Sequence, residues 1–202
     1  MKSSASRTPA SAKAGTDRPD DSLVSLIGRR LKGSLLPGDA QFSPAELKDA
    51  ASFALTAAQQ RQPGEAVIAI ESDTGRVGRR MTRIAVVNDN MPFLVDSISA
   101  AIAAHGLTID RLVHPLVNSR RGADGKLESL PPQASAATLR ESLVYIETPR
   151  ADARTRVKLR AALDIDLADV RVAVSDWPRV QAAMAADADR LDAEGEGEGA
   201  AL

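Results

Sequence analysis

Apolar residues recur along this chain with two periods, and the switches between them mark out the elements. From Asp21, DSLVSLIGRRLKGSLL sets Leu23, Leu26, Ile27, Arg30 and Leu31 on one face at helical spacing. LLPGDAQ breaks that run with Pro37 and Gly38. FSPAELKDAASFALTAAQQRQPG then opens a second helix, with Ser43 placed as N-cap, Pro44 as first helical residue and Glu46 completing a capping box. Pro63-Gly64 ends it, so a helical pair is predicted over residues 21–62.

The period then shortens to two. EAVIAIES (65–72) predicts a short buried strand rich in β-branched residues. SDTGRVGRR is a Gly-punctuated loop and MTRIAVV (81–87) is the next strand, so the two are expected to form a hairpin. From Pro92 to His105 the helical period returns, with Leu94, Val95, Ile98, Ala101 and Ile102 in one stripe. Gly106 suits the left-handed position that ends such a helix. LTIDRLVHPLVNSRR (107–121) predicts one long strand, GADGKLESLPPQAS a loop, and ESLVYIETP (141–149) a strand with Leu143 and Tyr145 on one face and Val144 and Ile146 on the other. ADARTRVKLRAALD (151–164) predicts an amphipathic helix with Val157, Ala161 and Leu163 inward. DVRVAVS (169–175) aligns Val170, Val172 and Val174 as a strand, and DWPRVQAAMAADADRL predicts a final helix.

From Met81 to Ser175 the predicted order is strand, helix, strand, strand, helix, strand. That is the ferredoxin-like βαββαβ unit, an α+β fold in which right-handed crossovers put both helices on one face of an antiparallel sheet. The other face must be covered by the N-terminal helical pair, the C-terminal helix or a second subunit. The expected organisation is a disordered tail over 1–20, a helical segment over 21–62, the α+β domain over 63–176, a C-terminal helix over 177–193, and a flexible linker over 194–202.

Composition narrows the chemistry. The chain has 202 residues, 44% hydrophobic and 26% charged, enough for one domain with appendages. A net charge of -1 and a pI near 6.2 give no basic field for nucleic acid or an anionic membrane. The absence of cysteine excludes disulfides and thiolate metal sites and suits a cytoplasmic location, and two histidines, His105 and His114, are a poor basis for zinc. No apolar run approaches the ~20 residues of a membrane span, and the polar N-terminus lacks the core of a secretory signal.

The chemistry-bearing stretch is NDNMPF, between a strand and a helix. A helix N-terminus exposes unpaired N–H groups and attracts carboxylates. Pro92 suits the first turn, Asn90 is placed to cap it, and Asn88 and Asp89 add donors and acceptors. The candidate ligand-binding residues are therefore Asn88, Asp89, Asn90, Met91, Pro92 and Phe93. The same residue types also serve in any strand-to-helix turn. Asp96 and Ser97 fall in the first helical turn, where Asp96 complements the helix dipole. His105 suits a helix C-terminus, His114 before Pro115 a strand end or bulge, and the doublets Arg79-Arg80 and Arg120-Arg121 solvated loops. Tyr145 stands without the further strand aromatics of an RNA-binding sheet, and Arg79 and Asn88 flank their strand rather than sharing an acylphosphatase-like phosphate cradle.

VVNDNMPFLVDSISAAIAAHGLTID resembles the first strand, turn, helix and second strand of an ACT domain, the ligand-sensing module of amino-acid metabolism. Asn88 to Pro92, Leu94, Gly106 and Ile109 match its pattern, and Phe93 departs from it, standing where the module usually has glycine. The MPFLVDS run, the HG-LTI-R-VHP pattern ending at Pro115 and the ES-Y-E strand resemble the N-terminal region of the large bacterial NAD-dependent glutamate dehydrogenases. The resemblance implies a non-catalytic piece of a long enzyme, with NAD bound in the parent and no cofactor here. GRVGRR lacks the spacing of a dinucleotide fingerprint. The implied partners are the chain's own downstream catalytic domain, further copies in a homo-oligomer, and an amino-acid effector at the turn. Two roles stay open, a sensor with its ligand at Asn88–Pro92 and an assembly module in which the turn is only a cap. A stand-alone small binding protein is a third.

Overall fold

A computed structural model describes residues 19–74 and 80–199. Residues 1–18 of the disordered tail expected over 1–20, the loop tip 75–79 with Arg79, and residues 200–202 lie outside the described residues, while Pro19 and Asp20 are helical rather than disordered. Helices α1 (Pro19–Gly33) and α2 (Pro44–Ala58) come first. Ser43 caps α2 as its sequence dictates. Its hydroxyl accepts from the Glu46 N–H at 3.2 Å, and the Glu46 carboxylate accepts from the Ser43 N–H at 2.7 Å.

Strands β1 (Val67–Thr74) and β2 (Arg80–Asp89) pair antiparallel from Val67↔Val87 to Thr74↔Arg80, the expected hairpin. Helix α3 (Leu94–Ala104) ends at Gly106, whose φ of 71° is the left-handed conformation that glycine adopts freely. The long strand expected over 107–121 is two shorter ones, β3 (Arg111–Val113) and β4 (Leu116–Arg121), both paired with β6 (Leu139–Pro149). Pro115 has no N–H to give the ladder, and the pairing breaks at His114-Pro115. A short β5 (Leu127–Ser129) lies inside the stretch expected to be loop. The sheet order is β1-β2-β6-β4-β5, all antiparallel, with β3 also on β6.

Two corrections concern the last third of the chain. Residues 169–175 are not a strand, and no boundary falls at Trp177. A single helix α4 runs from Ala153 to Gly199, through Pro178 and through the first residues of the tract expected to be flexible. Leu159, Leu163, Leu167, Val170 and Val174 recur at helical spacing, and extending a formed helix is far easier than nucleating a new element. The period-2 alternation of three valines is a weaker signal than that continuity. The inward face is also shifted from the expected one. Leu159, Leu163 and Leu167 are buried, whereas Val157 is 70% exposed. The edge of β2 on which the unit's fourth strand would lie is taken by β1, coming from the N-terminal side.

The sheet is buried on both faces, as its composition demands. Along β2 and β6, Ala85, Val87, Leu143 and Tyr145 face α1 and α2, packing with Ile27, Leu31 and Phe53. Ile84, Val86, Val144 and Ile146 face α3 and α4, packing with Ile98, Ile102, Leu159 and Leu163. Helices α3 and α4 thus share one face, as the ferredoxin-like reading expects, and the N-terminal pair covers the other. Each such large side chain contributes roughly 1.5–3 kcal/mol by leaving water.

Candidate functional site at the turn between β2 and α3

The polar residues of the turn are held from several directions. Asn88 ends the buried part of β2, and its Oδ1 accepts a hydrogen bond from the Arg171 guanidinium of α4. The Asn88 Nδ2 and the Arg171 Nε are both buried without an acceptor. Asp89 accepts from the Arg61 guanidinium at 2.8 Å and from the Gly64 N–H at 2.7 Å. Burial raises the Asp89 carboxyl, but the Arg61 and Gly64 hydrogen bonds and the charges of Arg61 and Arg171 outweigh that and hold it below the usual carboxylate range. Asn90 is exposed, and its N–H donates to the Arg140 carbonyl at 3.0 Å while its Oδ1 accepts from the Ser142 hydroxyl at 3.3 Å. Asn90 therefore does not cap α3, contrary to the sequence expectation. The N-cap is Phe93, which makes no side-chain cap bond.

Phe93 carries φ 65° and ψ 1°, the left-handed conformation, and it is the one non-glycine residue with positive φ among those described. The turn keeps a glycine backbone under a phenylalanine side chain, with the ring 67% exposed. Pro92 and Phe93, with Ala173, Val174 and Trp177 of α4, line a mainly apolar groove of about 430 Å³. Met91 is half-buried and packs against the core on the α3–α4 face of the sheet. Asp96 is exposed in the first turn of α3.

The Arg61 contact belongs to a buried ion network that sequence reasoning missed. Arg61, 1% exposed, donates through Nε to Glu141 at 2.7 Å and through Nη1 to the Glu65 carbonyl at 2.8 Å. Arg121 grips the same Glu141 with two bonds of 2.9 Å and also donates to the Ala58 and Gly125 carbonyls. The expectation of a solvated Arg121 is thereby corrected, while Arg120 is exposed. Burial pushes the Glu141 carboxyl up, and the hydrogen bonds and positive charge around it, Arg121 foremost, bring it net below its ordinary value. Gly125 makes the approach possible, because a Cβ there would stand 2.6 Å from the Arg61 carbonyl oxygen. A second cluster joins Arg111 to Glu147 at 3.1 Å, with the Tyr145 hydroxyl donating to the same oxygen. Arg111 also lies 3.8 Å over the Phe42 ring. Tyr145 is 1% exposed between Phe42 and Phe53, so its ring offers no stacking surface to a base.

One signal for this network was in the sequence. Glu141 and Glu147 share the strand face of Leu143 and Tyr145, so two carboxylates had to point into a buried layer and required cations there. His105 ends α3, its Nδ1 2.8 Å from the Ala101 carbonyl, and His114 sits half-buried in the break between β3 and β4, where burial lowers its basicity. Among the described residues no cluster of three or more His, Cys, Asp or Glu is disposed to hold a metal, and no helix is long and apolar enough to cross a membrane.

Residues 34–163 match the family model of the glutamate dehydrogenase ACT1 domain. The chain belongs to that family. The matched span of this ACT1 domain runs from before α2 through the sheet into the buried part of α4, and so contains the turn, the ion network and most of both cores, with α1 and Leu167 outside it. Over 115 residues it is 32% identical to an NAD-specific glutamate dehydrogenase of Halomonas elongata, covering 55% of this chain and 7% of that protein. Over 105 residues it is 32% identical to an NAD-specific glutamate dehydrogenase of Pseudomonas aeruginosa, covering 50% of this chain and 6% of that protein. The aligned part is thus well under a tenth of the length of these relatives.

Proposed function

We propose that this ACT1 domain is a non-catalytic regulatory or assembly domain at the N-terminal end of a cytoplasmic NAD-dependent glutamate dehydrogenase. The parent reaction would convert L-glutamate, NAD and water to 2-oxoglutarate, ammonia and NADH. Hydride transfer and NAD binding would belong to a downstream catalytic domain. The observation that carries this reading is the family match over residues 34–163, supported by two NAD-specific glutamate dehydrogenases that share its sequence. Assembly is favoured over sensing because Asp89 is held by Arg61 and the Gly64 N–H, Asn90 is held by Ser142, and Phe93 puts a ring where the ACT pattern usually has glycine. The test is deletion of this domain from the full-length enzyme. Loss of normal subunit association, with chemistry retained per catalytic centre, is expected. A deletion enzyme unchanged in size and in its response to amino acids would overturn the reading, as would NADH production from glutamate by this chain alone.

One observation favours the second reading, an amino-acid sensor. The Asn88 Nδ2 and the Arg171 Nε are buried donors on one hydrogen-bonded pair with no acceptor, chemistry that suits a carboxylate. Titration calorimetry of the intact chain with glutamate, aspartate and arginine decides it. Heat that Arg171→Met abolishes would support sensing, and no heat would leave assembly standing.

A further inference from the structure

Helix α4 is 47 residues long, about 70 Å at 1.5 Å per residue, and the domain covers only its first half. Leu159, Leu163 and Leu167 are fully buried against the sheet and α3. The same stripe continues past the end of the body through Val170, Val174, Trp177, Gln181, Met184, Ala188 and Leu191, with Val180 at its edge, in alternating steps of four and three residues that average 3.5, the period of a coiled-coil seam. Every residue from Trp177 to Leu191 is exposed, and Trp177, Met184 and Leu191 are 54%, 63% and 62% exposed. A solvated helix has no use for large apolar residues at positions 177, 184 and 191, one heptad apart.

We propose that this overhanging seam pairs antiparallel with the same segment of a second copy of the chain. Three features of the surface select that occupant. First, an antiparallel register that sets Val174 against Leu191 uses only positions the domain leaves free, because Leu167 and Leu163 are already covered. Second, that register is self-complementary in size. It puts the Trp177 indole against the small Ala188 and flanks the two-fold axis with Gln181 and Met184. Third, it delivers Leu191 of the second copy into the groove formed by Pro92, Phe93, Ala173, Val174 and Trp177. Groove and knob lie on one helix about 25 Å apart, so the two-fold fills both grooves at once. The charged side chains of this stretch leave the seam clear. Arg179 pairs with Asp176 and Arg190 with Asp187, each within its own helix. Gln181 is the polar residue of the seam, a position where burial favours one register over others. The inference supplies a surface for the assembly reading and rests on it for its purpose.

Sedimentation equilibrium of the intact chain, from about 1 µM to about 500 µM, is the test, the range in which so short an interface half-associates. A monomer–dimer equilibrium is expected, with emission of the chain's single tryptophan shifting to the blue as dimer forms. Met184→Glu should weaken association at least about tenfold, since it buries an unpaired charge. Ala186→Glu, on the opposite side of the helix, should leave it unchanged. The chain has no cysteine of its own, so a mixture of Val174→Cys and Leu191→Cys variants should yield the mixed disulfide. A chain monomeric throughout, a dimer indifferent to Met184→Glu, or a Leu191→Cys homodisulfide forming in preference to the mixed one would each overturn the proposal. None of those results touches the domain-deletion test, so failure of this surface and failure of the assembly reading are separately visible.

Discussion

Phe93 holds a backbone that L side chains avoid, at φ 65°. The left-handed region costs a non-glycine residue about 1–2 kcal/mol, and glycine at the same place would cost about 0.5–1 kcal/mol in chain entropy. With the ring largely in solvent, little packing offsets the strain. Phe93→Gly is therefore expected to raise the unfolding free energy by about 0.5–1 kcal/mol, measured by urea denaturation of dilute monomer. A loss instead would mean that the ring contributes contacts beyond its groove. The sequence announced this residue as an anomaly, a phenylalanine at a glycine position, and the anomaly lies in the backbone. By contrast, the cap assigned to Asn90 was illegible, because a turn rich in amides offers several acceptors and only the pairing of Ser142 and Arg140 with Asn90 selects among them.

Among the elements, those with strong start and stop chemistry were legible. The capping box of α2, the glycine end of α3 and the hairpin of β1 and β2 all follow from local residue types. Helix α4 was misread as three elements because Val170, Val172 and Val174 alternate, and because Trp177-Pro178 looks like a helix start. Pro178 has no N–H to offer the Val174 carbonyl, which weakens the helix there without ending it. The body and the overhang are accordingly separable. A chain ending at Ser175 should keep its fold, with a melting temperature within about 3 °C of the full chain in dilute solution, because every buried leucine of α4 is retained. Leu163→Ala, within the covered half, should cost about 2–5 kcal/mol. Thermal melts of both variants check the contrast, and a large loss from the truncation would show that the overhang stabilises the monomer.

At the scale of the whole molecule, the fold is two apolar layers on one sheet, tied at one end by Arg61. The layers were legible from alternation in β2 and β6. The tie was not, since its members lie 28 to 80 residues from Arg61 in sequence and only the folded sheet brings them together. Arg61 joins the loop after α2 to Asp89 of β2 and Glu141 of β6, and Arg121 of β4 closes the group. Removing one partner of a buried pair strands the other, so Arg61→Ala should cost about 3 kcal/mol, at the low end of the usual range because Arg121 still holds Glu141. The acid limb carries the same information. Asp89 and Glu141 both titrate below their ordinary values in the folded chain. Near pH 4 the unfolded chain therefore binds more protons, and stability is present above that pH and lost as the pH falls through the folded values. In Arg61→Ala the two carboxyls move back up, so the loss between about pH 5 and pH 3 should shrink while stability at pH 7 drops. Urea midpoints measured across that range decide the matter. An Arg61→Ala chain with the full acid slope would show that the network holds no charge coupling between the layers.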